Sequence, residues 1–169
     1  MTPTIFNPYR YAVGCEQKWI GTAGSGFADA SITGATDARV EKFNESGGTT
    51  FNVCKFSAYL KRIGTLNATI YAKIWNSSGV VQATSSDTYV NADIGTGYAW
   101  FEFEFDDVAL AEDEWIGIWY NGDNLYVQQS VSSGGDPSGL DMQGGYYDSG
   151  AWGGFSSTRC FNYIIYSSG

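Results

Sequence analysis

The stretch Leu66-Asn-Ala-Thr-Ile-Tyr-Ala-Lys-Ile-Trp75 decides the fold class. Aliphatic side chains occupy every second position from Leu66 to Ile74, and the positions between them carry Asn, Thr, Tyr, Lys and Trp. This period-two alternation predicts a β-strand with one buried side and one side facing solvent. We expect Tyr71 and Trp75 on the solvent side, where exposed aromatic rings are candidates for contact with a sugar or a partner.

Similar strand patterns recur along the chain. Residues 98–105 alternate in the same way, with Phe101, Phe103 and Phe105 predicted to face the core. Further runs cover residues 39–43, 50–61, 80–85, 114–120, 125–130 and 160–166. Turn-forming residues separate the runs, and Asn121-Gly122 predicts that the runs on either side of it pair locally as antiparallel strands. The pattern predicts an all-β fold, a two-sheet antiparallel β-sandwich of the jelly-roll type.

The N-terminal region lacks this regularity. Up to about residue 27 the chain shows no sustained periodicity. We therefore divide the chain into an N-terminal arm with an irregular first layer, residues 1–37, and a β-sandwich domain, residues 38–169. A chain of 169 residues is long enough to bury a single hydrophobic core.

The composition excludes several classes of partner. A net charge of −9 and a pI near 4.2 disfavour nucleic acid, whose binding requires clustered Lys and Arg. The chain contains neither an apolar run long enough to cross a bilayer nor a signal-peptide pattern. We expect no nucleic-acid partner and no membrane insertion. Export then depends either on a signal that has been removed or on another route, such as packaging into a virion.

Three cysteines, Cys15, Cys54 and Cys160, allow at most one internal disulfide. Cys54 shares the alternation of Phe56, and Cys160 opens the last apolar run. Both are therefore interpreted as buried free thiols. The alternatives are a bridge from Cys160 to Cys54 or from Cys160 to Cys15.

Catalytic chemistry is restricted by the absence of histidine, which removes serine and cysteine triads and histidine-dependent zinc sites. Carboxylates remain, and Glu102 and Glu104 are predicted to share a solvent face about 7 Å apart. The segment superficially resembles the Glu-x-Asp-x-x-Glu strand of jelly-roll β-glucanases, but position 104 is Glu and position 107 is Asp. We expect a solvated strand face and no enzyme.

Acidic residues in turns raise the question of a metal. They are Asp106, Asp107, Glu112, Asp113, Asp136 and Asp141. Calcium accepts such oxygen ligands, but their spacing matches no fixed calcium loop. We predict no cofactor, with calcium as the one candidate.

Residues 144–155 form the best candidate binding site, a glycine-rich segment interpreted as a loop. Tyr146, Tyr147 and Trp152 combine flat apolar faces with a polar group, which suits stacking against sugar rings. Asp148 and Asp123 are predicted to bond sugar hydroxyls. The competing interpretation places Trp152 as a lid over the open end of the sandwich.

The order of these segments resembles a known kind of module. The segments 50–64, 66–75, 98–105 and 110–118, followed by Gly145-Tyr-Tyr-Asp-Ser-Gly-Ala-Trp152, look like the jelly-roll sandwiches of phage and bacterial surface proteins. The chain is similar to carbohydrate-binding-like and choice-of-anchor modules. This resemblance implies a non-catalytic module that binds glycans or builds a surface assembly, in adhesion or as a structural protein, located extracellularly or on a virion.

Three functions follow as hypotheses. The first is a non-catalytic, carbohydrate-binding surface module whose partner is a glycan. The second is a structural capsid, decoration or fibre subunit whose partners are other copies of itself, bound through its arm and its exposed aromatic residues. The third is a glycoside hydrolase that uses Glu102 and Glu104.

Overall fold

The computed structural model describes residue 15 and residues 17–21, 27–34, 36–44, 50–130, 142–156 and 160–168. In these ranges the regular elements are β-strands, and no helix there has the length and apolarity needed to cross a membrane. The strands are β1 (Gln17–Gly21), β2 (Phe27–Ile32), β3 (Thr36–Phe43), β4 (Phe51–Arg62), β5 (Ile70–Trp75), β6 (Val81–Tyr89), β7 (Ala99–Leu110), β8 (Trp115–Trp119), β9 (Leu125–Ser130), β10 (Met142–Asp148), β11 (Ala151–Ser156) and β12 (Tyr163–Ser167).

The strands form two antiparallel sheets that do not close into a barrel. The first sheet has the order β1-β12-β4-β9-β2, and β7 pairs with the other edge of β4. The second sheet has the order β11-β10-β3-β8-β5-β6. From β7 to β10 each connection passes from one sheet to the other. The predicted all-β sandwich is confirmed.

The core lies between the sheets and follows the predicted alternation. Ile70, Ala72 and Ile74 of β5 are fully buried, and so is Phe103 of β7. Strand β5 begins at Ile70, later than predicted, but Leu66 still inserts into the core at 5% exposure. The backbone N–H of Leu66 donates to Asn91 Oδ1 at 2.8 Å, which replaces a sheet hydrogen bond. Period-two alternation thus assigned the inner face of β5 correctly.

The predicted local pairing across Asn121-Gly122 is wrong. Strand β8 belongs to the second sheet and β9 to the first, so this turn crosses between the sheets. Tyr120 is fully buried, and its hydroxyl accepts a hydrogen bond from the N–H of Asn67 at 3.0 Å and lies 2.9 Å from the carbonyl oxygen of Asp123. Inward-facing apolar side chains suit neighbouring strands and facing strands equally, so the sequence pattern could not separate the two arrangements.

The N-terminal region contains two regular strands. Strand β1 pairs with β12, and β2 pairs with β9, both in the first sheet. The expected irregular first layer is therefore regular over residues 17–21 and 27–32. The predicted arm before residue 15 lies outside the described residues, and the boundary at residue 37 stays a prediction.

A disulfide joins Cys15 to Cys54, with a Cα–Cα distance of 6.0 Å. The predictions of a free Cys54 and of bridges to Cys160 are wrong, whereas Cys160 is buried and takes no part in the disulfide, as expected. The reason is an irregularity between Val53 and Lys55, where the register of β4 against β7 shifts. Val53 and Phe56 both face the core, so simple alternation misassigned Cys54.

This disulfide gives a stability prediction. It closes a loop over a sequence separation of 39, and loop-closure entropy for that length corresponds to about 4 kcal/mol as an upper value. The double variant Cys15→Ser, Cys54→Ser should therefore unfold at a clearly lower urea concentration than the oxidised protein. Cys160→Ala, which keeps the disulfide, is the matched control. An unchanged urea midpoint for wild type under reducing conditions would contradict the assignment.

Candidate functional site

Residues 142–156, which include most of the predicted binding site, form a β-hairpin and not a loop. Strands β10 and β11 are joined by a tight turn at Ser149 and Gly150, both with positive φ. Successive side chains of a strand point to opposite faces. Tyr146 and Tyr147 therefore lie on opposite sides of the second sheet, and only Tyr147 shares a face with Trp152.

Trp152 packs on the outer face of the second sheet, where tryptophans form a separate hydrophobic cluster. The centroid of its ring lies 4.5 Å from that of Trp115 and 5.1 Å from that of Trp75. Trp75 is only 1% exposed, so its predicted place on a solvent face is wrong. It is on the outer face, but the hairpin brings Trp152 over it. Trp152 covers the sheet face and leaves its own ring half-buried.

A glycine makes this cover possible. Gly79 has a positive φ of 79°, and a Cβ at this position would lie 2.4 Å from Trp152 Nε1. A side chain would therefore displace the indole, and the backbone conformation itself favours glycine. The turn before β6 thus forms part of the seat for Trp152.

The strand register places four aromatic side chains in a line across the outer face of this sheet. Trp152 is opposite Tyr147, Tyr147 is opposite Ala38, and Trp119 lies between Ala38 and Tyr71. We call Trp152, Tyr147, Trp119 and Tyr71 the aromatic row. It crosses five strands, a span of about 19 Å. All four side chains are half-buried, so each keeps part of its surface open to solvent.

Ala38 and Lys73 lie beside the rings of the aromatic row. Ala38 is fully buried, and over its small side chain the centroids of the Tyr147 and Trp119 rings approach to 5.7 Å. Lys73 Nζ lies 4.5 Å from the ring centroid of Trp119 and 5.8 Å from that of Tyr71. Burial lowers the pKa of Lys73. The ammonium group is thus held against aromatic surface as a cation–π contact.

Sequence reasoning missed Trp119 and Lys73 as site residues. Residues 114–120 were interpreted as one apolar run, without separating its two faces. The available signal was the alternation around Ile116 and Ile118, which are fully buried in the core. Their burial requires Trp115 and Trp119 to face outward.

Tyr146 belongs to a different environment, a cleft at the edge of the sandwich. The Arg39 guanidinium carbon lies 5.3 Å from the centroid of its ring. Arg39, Glu41, Gly154 and Cys160 line the same cleft. Tyr146 therefore does not join the aromatic row.

Of the two predicted aspartates, Asp148 pairs with the first residue of β3, and Asp123 contacts the turn that precedes β3. Asp148 is opposite Thr36 in the β10 and β3 register and accepts a hydrogen bond from the Ser149 hydroxyl at 2.8 Å. Asp123 accepts hydrogen bonds from Thr33 Oγ1 at 3.0 Å and from the N–H of Gly34 at 3.1 Å. Asp148 sits at the end of the hairpin, whereas Asp123 holds a loop in place.

These contacts affect titration. The Gly34 N–H, the Thr33 hydroxyl and the Asn67 amide lower the pKa of Asp123. Burial, with a contribution from the negative charge of Asp148, raises the pKa of Asp37. The hairpin end of the row is therefore acidic, and Lys73 supplies a positive charge near Tyr71.

Glu102 and Glu104 lie on the outer face of the first sheet and are exposed, as predicted. Lys55 Nζ contacts Glu102 Oε2 at 3.0 Å. The described residues contain no group of three His, Cys, Asp or Glu side chains suited to hold a metal. Asp136 and Asp141, two of the candidate calcium ligands, lie outside the described residues.

Comparisons with models of known protein families, with curated proteins and with solved structures found no match to this chain. The fold class therefore rests on the two antiparallel sheets described above, and the function is argued from the surface chemistry of this chain alone.

Trp152→Ala should destabilise the protein, because it uncovers Trp75 and Trp115. We expect a loss of about 3 kcal/mol in the free energy of unfolding, together with a red shift of the tryptophan emission as Trp75 meets water. Urea unfolding followed by fluorescence measures both. Trp100→Ala, which removes a tryptophan that is 40% exposed, is the matched control and should cost about 1 kcal/mol or less. Equal losses in the two variants would contradict the covering role.

The lowered pKa of Asp123 predicts a pH-dependent contribution to stability. A carboxylate whose pKa is lower in the folded state stabilises the protein above its unfolded-state pKa, and this contribution is lost as the pH falls through the folded-state pKa. The difference in unfolding free energy between wild type and Asp123→Ala should therefore be full at pH 7 and shrink below about pH 4. Urea titrations at several pH values measure it. A difference that grows on acidification would contradict the assignment.

Proposed function

We propose that this protein is a non-catalytic surface module that binds carbohydrate through the aromatic row of its second sheet. The observation that carries the proposal is the strand register, which aligns Trp152, Tyr147, Trp119 and Tyr71 across five strands. Sugar rings present apolar C–H faces that stack on aromatic rings, and a line of such rings suits an extended oligosaccharide.

The row is supported by rigid elements. Its side chains project from paired strands, and Trp152 and Tyr147 also pack against each other with ring centroids 4.8 Å apart. Little side-chain freedom remains to be lost when a ligand stacks on them, which favours affinity. This pre-organisation is a property of binding surfaces and requires no catalytic group.

Polar groups flank the aromatic rings. Lys73 takes part in none of the ion pairs found among the described residues, so its N–H groups are available to hydroxyl oxygens of a sugar. Asp148 offers acceptor oxygens at the hairpin end of the row. Together they supply the orientation that stacking alone lacks.

The proposed location is extracellular or on a virion surface. The disulfide between Cys15 and Cys54 supports it, because such bonds persist in oxidising surroundings. The net charge of −9 supports a partner other than nucleic acid. The partner we propose is a glycan of a cell surface or of an extracellular matrix.

Binding to an array of glycans, followed by titration calorimetry with the best ligand, tests the proposal. Tyr71→Ala and Tyr147→Ala should each weaken binding at least tenfold, about 1.4 kcal/mol, while each variant still unfolds in one cooperative melting transition. Phe27→Ala, which truncates an exposed aromatic side chain on the other sheet, should bind like wild type. The proposal fails if wild type binds no glycan on the array, or if neither row variant weakens binding.

A further inference from the structure

The outer face of the first sheet carries a second group of aromatic side chains. Tyr59 of β4 is opposite Trp100 of β7, and their ring centroids are 5.0 Å apart. Tyr98, which immediately precedes β7, stacks on Tyr59 with centroids 5.3 Å apart and an interplanar angle of 16°. We call Tyr59, Tyr98 and Trp100 the aromatic platform. Trp100 is 40% exposed, one of the most exposed large apolar side chains among the described residues.

An ion pair borders the platform. Lys61 Nζ lies 2.6 Å from Asp29 Oδ2, and the Tyr98 hydroxyl donates to Asp29 Oδ1 at 2.8 Å. Lys61 Nζ is also 4.5 Å from the ring centroid of Tyr98. These contacts connect β2, β4 and the start of β7, so the rings and the charged groups are fixed relative to one another. The hydrogen bond from Lys61 lowers the pKa of Asp29, which keeps the carboxylate charged at neutral pH.

The ion pair presents a hydrogen-bond donor beside an acceptor. A carboxylate can accept from one hydroxyl group of a sugar while an ammonium group donates to the neighbouring one, so the pair suits a vicinal diol. The Asp29 side chain is 43% exposed and the Lys61 side chain 17% exposed, so both can be reached from solvent. Flat rings beside such a pair provide both parts of a saccharide site, stacking and orientation.

Charge distinguishes a sugar from the other occupant that this face could take, a second copy of the chain. On this face Lys61 pairs with Asp29 and Lys55 with Glu102, so the positive charges are compensated locally. Two whole chains of charge −9 repel each other, whereas an uncharged sugar meets no such repulsion. Because the lysines of this face are compensated and the exposed Glu104 lies on it as well, the face also offers nothing to an anionic polymer.

We infer that the aromatic platform, with Asp29 and Lys61, is a second saccharide-binding site that takes an uncharged sugar with a vicinal diol. It goes beyond the proposed function, because it uses none of the residues of the aromatic row. The two sites lie on the outer faces of opposite sheets and point in opposite directions. One chain then holds two glycan chains at once, and its attachment to a glycan-rich surface gains from multivalency.

Titration calorimetry with uncharged cello-, xylo- and manno-oligosaccharides, whose sugar units carry a free vicinal diol, tests this inference. Wild type should bind two ligands per chain. Trp100→Ala should remove one site, and Lys61→Met, which keeps the length of the side chain without the ammonium group, should weaken that same site at least tenfold. Tyr71→Ala on the opposite sheet is the matched control and should leave the platform site intact.

The outcomes separate this inference from the proposed function. A single site that Trp100→Ala abolishes and Tyr71→Ala spares supports the platform and contradicts the row. A single site that only Tyr71→Ala abolishes overturns the platform. A wild-type dimer in light scattering that Trp100→Ala converts to monomer, with sugar binding unchanged, overturns it in favour of a second copy. Binding of none of the three oligosaccharides overturns it as well.

Discussion

The contact between the apolar inner faces of the two sheets is the interaction on which the rest of the structure depends. Ile74, Ile116 and Ile118 of the second sheet and Phe56 and Phe103 of the first are fully buried. Each such side chain contributes about 1.5–3 kcal/mol on burial. Because strand side chains alternate, burying one face also decides which residues face outward. Trp119 faces outward because Ile118 faces inward, so the core positions the candidate binding surface.

The aromatic side chains of the two outer faces are packed differently. On the second sheet Trp152 covers Trp75 and Trp115, which makes a small second core with a half-buried rim. On the first sheet the rings of Tyr59, Tyr98 and Trp100 lie beside paired charges and remain more open. On the second sheet this packing holds the aromatic rings in place, whereas on the first sheet the rings can be reached from solvent. The aromatic side chains on both outer faces are the reason why we propose a ligand on each side of the sandwich.

Local alternation predicted the strands well, because it depends only on neighbouring residues. It assigned Ile70, Ala72 and Ile74 to the core, and it placed Glu102 and Glu104 on an exposed face. It failed where a distant segment decides the outcome. Burial of Trp75 depends on Trp152, far along the chain, and the partner of Cys54 depends on a register shift within β4. The glycine-rich segment 144–155 was predicted as a loop because its glycines hide the alternation of Tyr146 and Tyr147.

The aromatic row runs at right angles to the strands, whereas backbone hydrogen bonds join each strand only to its neighbours. A ligand stacked along the row would touch β11, β10, β8 and β5 together and span β3 between them. Because it would contact all of these strands at once, the ligand would hold the edge hairpin to the centre of the sheet. Peeling of that hairpin is one way in which force can open this sheet from its edge. An attachment module built in this way would become harder to pull apart when it is attached.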